Sequence, residues 1–153
     1  PANKKIYCID TGLVAARGLL TPENRGRLYE NLVAIELWKR EQQEGFRVSY
    51  WKNVQADEVD FVVQQEGRIA ALIQVCADKG GGNARKRKIR ALLKASRAFQ
   101  CYNLLLLSEE DENTEVAAWF GMTGTIRSVP VWKWLEHPQT GTGRDASAGP
   151  VPG

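Results

Sequence analysis

The chain has 153 residues, of which 43% are hydrophobic and 25% charged, and its formal net charge is +3. This length suits a single domain with one core, and the composition is ordinary for a soluble globular protein. No apolar run is long enough to cross a membrane, and no secretory signal opens the sequence, so we expect a cytoplasmic protein without membrane contacts. The first residue is Pro1 rather than Met, which we interpret as a segment cut from a longer polypeptide.

Cysteine and histidine are too scarce to support several kinds of active site. Cys8, Cys76 and Cys101 are far apart and form no C-x-x-C pair. This pattern argues against a disulfide framework and a thiolate zinc site, and it favours a reducing compartment. The single histidine, His137, lies beside a tail rich in Gly, Thr, Ser and Pro. Chemistry that needs a histidine base, a histidine-bound zinc or a Ser–His pair therefore has almost no support.

The first half of the chain predicts a helix followed by three strands. A short strand or turn over residues 6–13 comes first. Thr21-Pro22-Glu23 then starts a helix, with Thr as the cap and Pro in the first turn, and this helix runs to about Gln43. Runs rich in β-branched and aromatic residues predict strands at 48–51, 58–63 and 69–76, the last two joined by a three-residue turn at 66–68.

The second half predicts one more helix and a buried strand. A helix extends from Ala84 to about Phe99, and residues 102–107 form a continuous apolar run typical of a strand buried on both faces. After a loop at 109–112, residues 125–134 predict a last strand that ends in a helical turn. The order predicts an α/β domain over 1–137, with a mixed central sheet flanked by helices. Residues 138–153 are predicted to be a flexible C-terminal tail.

One segment carries most of the positive charge. Residues 79–108 hold eight Lys or Arg and no acid, so the rest of the chain has an excess of acids. Most of these basic residues lie on the second helix, opposite its apolar stripe of Ile89, Leu92, Leu93 and Phe99. The pattern is typical either of a helix face in water or of a surface that binds nucleic acid. The candidate nucleic-acid-binding residues are Lys79, Arg85, Arg87, Lys88, Arg90, Lys94 and Arg97.

Polar side chains on the predicted hairpin indicate a site. With a three-residue turn, Asp60 and Gln74 lie opposite each other on the same face, and Cys76 shares that face. A buried carboxylate is costly unless it is paired or bound to a metal. The other face of the hairpin is apolar and consists of Val59, Phe61, Val63, Ile69, Ala71, Ile73 and Val75.

Glu30 is a third candidate because its neighbours on the same helix face are apolar. Those neighbours are Val33, Ala34, Leu37 and Trp38. Taken alone, Glu30 is better explained by a structural hydrogen bond, to a backbone amide or to Arg27. Together with Asp60 and Gln74, it favours a functional site.

The ordered set of segments resembles the PD-(D/E)XK nuclease superfamily. The segments are Gly26-x-x-x-Glu30 on a helix, Glu58-Val-Asp-Phe-Val62 on a strand and Ile73-Gln-Val-Cys76 on the next strand. More closely, the chain resembles the C-terminal domain of unknown function attached to archaeal-type AAA ATPases, and archaeal-type Holliday-junction resolvases share the layout. The resemblance covers about residues 4–136. It implies a restriction-endonuclease-like fold with an αβββαβ core, and phosphodiester hydrolysis that depends on Mg²⁺ or Mn²⁺.

By the resemblance, the metal ligands are Glu30, Asp60, Gln74 and the carbonyl of Val75, and Cys76 completes the catalytic set. Two of these positions depart from the family pattern. Gln74 stands where most active members have an acid, and Cys76 stands where they have a lysine. The lysine function therefore has to come from elsewhere, and the candidates are Lys52, Lys79 and Lys88.

Three hypotheses about function remain open at the level of sequence. The first is a metal-dependent DNA endonuclease with a degenerate active site, acting on DNA that includes branched forms. The second is a non-catalytic module, linked to an AAA ATPase domain, that binds nucleic acid or a protein. The third is a homodimerisation domain, which leaves the basic helix without a role.

Overall fold

The computed structural model describes residues 5–7, 22–78 and 82–137. The predicted strand or turn at 6–13 falls mostly outside these ranges. Lys79 and the predicted tail at 138–153 lie entirely outside the described residues.

The described chain alternates helices and strands around one six-stranded sheet. The strand order is β1-β2-β3-β4-β6-β5; β4 runs parallel to both of its neighbours, and the other pairs are antiparallel. The predicted α/β class with a mixed sheet is therefore confirmed, and the order αβββαβ is observed. The elements are α1 (Pro22–Glu44), β1 (Arg47–Lys52), β2 (Glu58–Gln65), β3 (Arg68–Cys76), α2 (Asn83–Phe99), β4 (Leu104–Ser108), β5 (Asn113–Trp119), β6 (Met122–Pro130) and α3 (Val131–Glu136).

The helices cover both faces of the sheet. On one face α1 and α3 enclose an apolar cluster that includes Leu37, Phe61 and Trp134. On the other face α2 inserts its apolar stripe, including Leu92 and Leu93, against β3, β4 and β6. All five residues of β4 are buried, as the continuous apolar run predicts for a strand covered on both sides. None of the helices in the described ranges is both long and apolar enough to span a bilayer.

Strand β5 was not predicted from the sequence, in which only one strand rather than two is expected after the buried β4. Its sequence, NTEVAAW, shows no clear alternation because it is the edge strand and most of its side chains are exposed. The turn from β5 to β6 is formed by Phe120 and Gly121, both with positive φ (42° and 76°), as two-residue hairpin turns require.

The turn between β2 and β3 is also shorter than predicted. It consists of Glu66 and Gly67, whose φ angles of 50° and 76° are those of a two-residue turn. Such a turn alone would shift the pairing by one residue. A register shift between Val63 and Gln64 compensates, so that Phe61 pairs with Ile73. Asp60 therefore still lies across from Gln74, although the turn length used to predict this was wrong.

The predicted apolar face of the hairpin needs two corrections. Val59 and Ile69 pack in the α2-side cluster rather than with Phe61 on the α1 side. Ile69 lies beyond the register shift of the β2–β3 pair, and Val59 lies near a similar shift in the β1–β2 pair. Each shift reverses which face a side chain occupies. On α1, Trp38 is also not buried, because 56% of it is exposed.

Candidate active site at the end of strand β3

The candidate site lies where the carboxyl end of β3 meets the first turns of α1 and α2. Since α1 and α2 cover opposite faces of the sheet, their first turns approach this end from two sides. They leave a cleft of about 760 Å³. Ligands of α/β proteins commonly bind at the carboxyl ends of sheet strands. Residues that line the cleft include Arg27 and Glu30 from α1, Val75 and Cys76 from β3, and Arg87 and Lys88 from α2.

Asp60 is the most enclosed acid of this site, with 1% of its side chain exposed. Its Oδ2 accepts a hydrogen bond from the backbone N–H of Val75 at 3.0 Å and contacts Lys88 Nζ at 2.7 Å. Its Oδ1 lies 3.2 Å from Lys5 Nζ. One buried carboxylate thus joins β2, β3, α2 and the segment 5–7, which explains how it is tolerated in the interior.

Gln74 uses its amide to hold Asp60 and its surroundings in place. Its Oε1 accepts from the backbone N–H of Asp60 at 3.1 Å and from Lys88 Nζ at 3.3 Å. Its Nε2 donates to the backbone carbonyl of Glu58 at 2.6 Å. A glutamate at this position would lack that donor. The glutamine is therefore matched to the backbone around it.

Lys5 was not among the candidates from sequence, yet its ammonium group lies among three carboxylates. Its Nζ is 2.7 Å from Glu58 Oε1, 3.1 Å from Glu30 Oε1 and 3.2 Å from Asp60 Oδ1. Burial alone would lower the pKa of Lys5, but Asp60, Glu58 and Glu30 together raise it well above its ordinary value. Lys5 is therefore a permanent cation in this arrangement.

Tyr7 completes this side of the site. Its hydroxyl donates to Glu30 Oε1 at 3.4 Å, and its ring lies against Phe61 with 6.0 Å between the ring centroids. Burial, followed by the nearby acids, raises the pKa of Tyr7 far above its ordinary range, although Lys5 opposes this shift. Tyr7 therefore stays protonated and acts as a donor. Glu30 is thus satisfied by Lys5 and Tyr7 rather than by the backbone amide or Arg27 considered from sequence.

Lys88 is the candidate lysine that the fold brings to Asp60. It projects from the second turn of α2, and its ammonium contacts both Asp60 and Gln74. Lys52 lies at the end of β1, where it pairs with Glu58 across the ladder, and its side chain is exposed. Lys79 is outside the described residues. No residue pattern distinguishes Lys88 from its basic neighbours on α2; its packing against the sheet does.

Residues 25–126 match a family described as Domain of unknown function (DUF4143). The chain belongs to this family. It is also similar to the uncharacterized protein MJ1544 of Methanocaldococcus jannaschii, with 35% identity over 132 residues. That match covers 85% of this chain and 29% of the relative, so the chain spans less than a third of the relative's length.

The DUF4143 match includes Glu30, Asp60, Gln74 and Lys88, whereas Lys5 precedes it. Cys76 is also within the match, and 5% of it is exposed where it packs in the α2-side cluster. Burial raises the pKa of the Cys76 thiol, and the charge of Asp78 adds to this effect. The thiol therefore stays protonated at neutral pH and contributes neither a cation nor a thiolate.

The basic residues of α2 in this DUF4143 domain are not all exposed, although either interpretation of the basic helix from sequence requires it. Arg85 is buried and forms an ion pair with Glu115, with Asp111 at 3.9 Å. Arg90 and Lys94 both bind the carboxylate of Asp57, Arg90 at 2.7 Å. Because the balancing acids come from distant segments, a count of charges along the helix could not reveal these pairs.

Two of the candidate nucleic-acid-binding residues on α2 remain directed to solvent. Arg87 and Arg97 are exposed and take part in none of the ion pairs within 5–7, 22–78 and 82–137. Arg87 lines the cleft together with Arg27, an exposed arginine of α1 that the sequence analysis did not propose for this role. Nucleic-acid binding stays a prediction, now concentrated on the cleft rather than on the whole helix.

Proposed function

We propose that this DUF4143 domain is a PD-(D/E)XK-type nuclease domain that binds DNA in the cleft and hydrolyses its phosphodiester bonds with a divalent metal ion. The observation that carries the proposal is the contact of 2.7 Å between Lys88 Nζ and Asp60 Oδ2. Lys88 on α2 thus supplies the ammonium group that a lysine at the position of Cys76 on β3 would otherwise provide. As part of the same proposal, we assign this α/β domain to the restriction-endonuclease-like fold.

The donor atoms around Asp60 suit Mg²⁺ or Mn²⁺. Glu30 and Asp60 each have a carboxylate oxygen within 3.2 Å of Lys5 Nζ, and Val75, whose carbonyl is the further candidate ligand, lines the same cleft as Glu30. These cations prefer hard oxygen ligands. When bound, such a cation polarises a phosphate oxygen and lowers the pKa of a bound water molecule. Gln74 Oε1 already accepts from two donors, so we assign Gln74 mainly to positioning Asp60.

Residues of this chain account for the remaining tasks. Arg27 and Arg87, on the two helices that border the cleft, bind phosphates of the DNA backbone without reading its bases. The ammonium of Lys88 faces negative charge that develops on the phosphate, as fixed cations do in phosphoryl-transfer sites. The substrate class is DNA, with branched DNA as the first form to examine.

Cleavage of branched, flapped and linear DNA in Mg²⁺ or Mn²⁺ tests this proposal. We expect cleavage that Asp60→Asn abolishes and that Lys88→Met lowers by about 100-fold, the loss typical of removing one charge-stabilising donor. Lys86→Met is the matched control because Lys86 is exposed on the same helix, and it should leave the rate unchanged. Equal rates for Lys88→Met and Lys86→Met would remove Lys88 from the mechanism.

Restoring the family pattern provides a second test. Cys76→Lys would bury an ammonium in the α2-side cluster beside Lys88, where the charge is not needed. We therefore expect it to lower stability without raising the cleavage rate. A rate increase, alone or with Gln74→Glu, would show instead that Lys88 does not serve the site.

A non-catalytic module of a larger AAA ATPase is the second candidate function. It is favoured by one observation: Lys5 and Lys88 already neutralise Asp60, as a permanently ion-paired site requires. The relative from Methanocaldococcus jannaschii is more than three times as long as the matched region, which leaves room for a linked domain. DNA binding without cleavage in any divalent metal, together with unchanged binding in Asp60→Asn, would favour this candidate.

A further inference from the structure

The ammonium of Lys5 lies where three acids from two elements converge. Glu30 comes from α1, whereas Glu58 and Asp60 come from β2. All three have a carboxylate oxygen within 3.2 Å of Lys5 Nζ. Such a group of acids repels itself unless a cation lies among its members. Lys5 supplies that cation from within the chain.

We propose that Lys5 is a tethered cation that holds the place of the divalent metal, and that Glu58 joins Glu30 and Asp60 as the third acidic ligand once the metal displaces Lys5. The inference deepens the proposed function, because it concerns the same metal site. If the inference holds, a metal ion and the ammonium group of Lys5 cannot lie among the three acids at the same time.

The distances favour an ammonium over a metal in the present arrangement. Contacts of 2.7–3.2 Å are those of N–H···O bonds, whereas Mg²⁺ requires oxygen ligands at about 2.0–2.1 Å. Within the described ranges no three His, Cys, Asp or Glu side chains are grouped closely enough to hold a metal. The acids therefore have to move inward as Lys5 leaves.

Lys5 is able to leave without disturbing the sheet. The segment 5–7 belongs to no helix or strand, so no ladder hydrogen bond depends on Lys5. The neighbouring Tyr7 is anchored separately by Glu30 and by the ring of Phe61. A lysine has a flexible four-carbon stem and a compact charge, which suits a side chain that swings between two positions.

Glu58 supplies the negative charge that is missing because position 74 is a neutral glutamine. An acid at position 74 would bring the metal site to three carboxylates, and Glu58 brings it to the same number from the adjacent strand. Gln74 Nε2 donates to the backbone carbonyl of Glu58, so the glutamine also holds the residue that replaces its charge. The site is then rearranged rather than degenerate.

Mn²⁺ binding measured by electron paramagnetic resonance, without DNA, tests the inference independently of catalysis. Lys5→Met should bind Mn²⁺ at least about tenfold more tightly than the unaltered protein, because a cation in direct contact with the ligands is removed. In the Lys5→Met background, Glu58→Gln should weaken binding by about tenfold. Lys52→Met is the matched control for Lys5, since Lys52 pairs with Glu58 across the ladder but is exposed; Glu66→Gln is the control for Glu58.

A measurement on the unaltered protein covers the case in which Lys5→Met does not fold. The ¹⁵Nζ resonance of Lys5 should shift as Mg²⁺ is added, while that of Lys52 should not. An unchanged Lys5 resonance at saturating Mg²⁺, or equal Mn²⁺ affinities of Lys5→Met and Lys52→Met, would overturn the inference. Tighter Mn²⁺ binding by Lys5→Met, without DNA cleavage by the protein, would support the role of Lys5 and exclude the nuclease function. Metal-dependent cleavage with the same Mn²⁺ affinity in Lys5→Met and the unaltered protein would support the nuclease function and exclude the role of Lys5.

Discussion

Asp57 and Asp60 are two buried aspartates, three positions apart, whose surroundings differ in the balance of charge. Each has 1% of its side chain exposed, and each contacts two basic side chains, at least one of them from α2. Asp57 is one acid that pairs with two basic side chains, those of Arg90 and Lys94. Asp60 shares Lys5 with two further acids.

The Asp57 cluster has the features of a structural ion pair. Arg90 and Lys94 attach α2 to the loop between β1 and β2, and Asn53 Nδ2 donates to Asp57 Oδ2 at 3.2 Å. The side chain of Asn53 also accepts from the backbone N–H of Asp57 at 2.9 Å and closes the loop. Here one acid is paired with two cations, so no further cation is needed.

The Asp60 cluster has an excess of acid and borders the cleft. Three carboxylates share two ammonium groups, those of Lys5 and Lys88. Burial and ion pairing are common to Asp57 and Asp60, so these two features alone do not mark a functional aspartate. An excess of acids over basic side chains beside an accessible cleft is a better mark of a functional aspartate.

The largest expected difference between the two clusters is in stability. Asp57→Asn leaves Arg90 and Lys94 without a counter-ion and should lower the free energy of unfolding by about 3 kcal/mol. Asp60→Asn leaves Lys88 without a carboxylate, but it relieves repulsion among the acids, and Lys5 keeps Glu30 and Glu58, so the loss should be smaller than that of Asp57→Asn. Urea denaturation at pH 7 gives both values. Equal losses would show that the two aspartates are both structural.

Acid should remove the contribution of Asp57 to the stability of the fold. Although burial opposes it, hydrogen bonds from Lys94, Arg90 and Asn53 lower the pKa of Asp57 in the folded protein. A lowered folded pKa stabilises the fold above the unfolded value of about 3.9, and the stabilisation is lost as pH falls through the folded pKa. The difference in unfolding free energy between the unaltered protein and Asp57→Asn should therefore narrow below about pH 4. A constant difference from pH 6 to pH 2 would contradict this.

DNA-binding affinity should distinguish the basic residues of the cleft from an exposed basic residue elsewhere on α2. Arg27→Ala with Arg87→Ala should weaken binding by about tenfold and reduce the salt slope by about two. Arg97→Ala is the comparison on the same helix, exposed but outside the cleft, and should have a smaller effect. Fluorescence anisotropy over a series of salt concentrations measures both quantities. An equal effect of Arg97 would assign binding to the helix as a whole.

The smallest effect expected is that of Gly124→Ala, which presses on the helix that supplies cations to both clusters. An added methyl group would lie 2.8 Å from Leu93 Cδ2 and 2.9 Å from Leu104 Cδ1. Since these are the ends of side chains that can shift, we expect a loss of about 1 kcal/mol in thermal or urea denaturation. Mn²⁺ affinity should stay the same. A change in Mn²⁺ affinity would show that the position of α2 controls the Asp60 cluster.

Parts of this molecule could be predicted where a local pattern carries the information. The strand at β4 follows from its apolar run. The pairing of Asp60 with Gln74 was predicted from the period of a strand, but it holds only because the register shift between Val63 and Gln64 offsets the shorter turn. Strand β5 escaped because an exposed edge strand has little need of alternation. The role of Lys5 could not be predicted because its partners Glu30 and Asp60 are 25 and 55 positions away in the sequence, beyond the period of any helix or strand.

The sequence by itself determined the α/β class, the boundaries of most helices and strands, and the grouping of Glu30, Asp60 and Gln74 as candidates. These depend on hydrophobic periodicity and on the few places where a polar residue interrupts it. Only the tertiary structure decided which basic residues are neutralised, which lysine reaches Asp60 and which cation joins the acids. Ion pairs form between side chains that folding brings together, and α2 meets acids from β2, the loop before it and β5 only once the sheet is assembled.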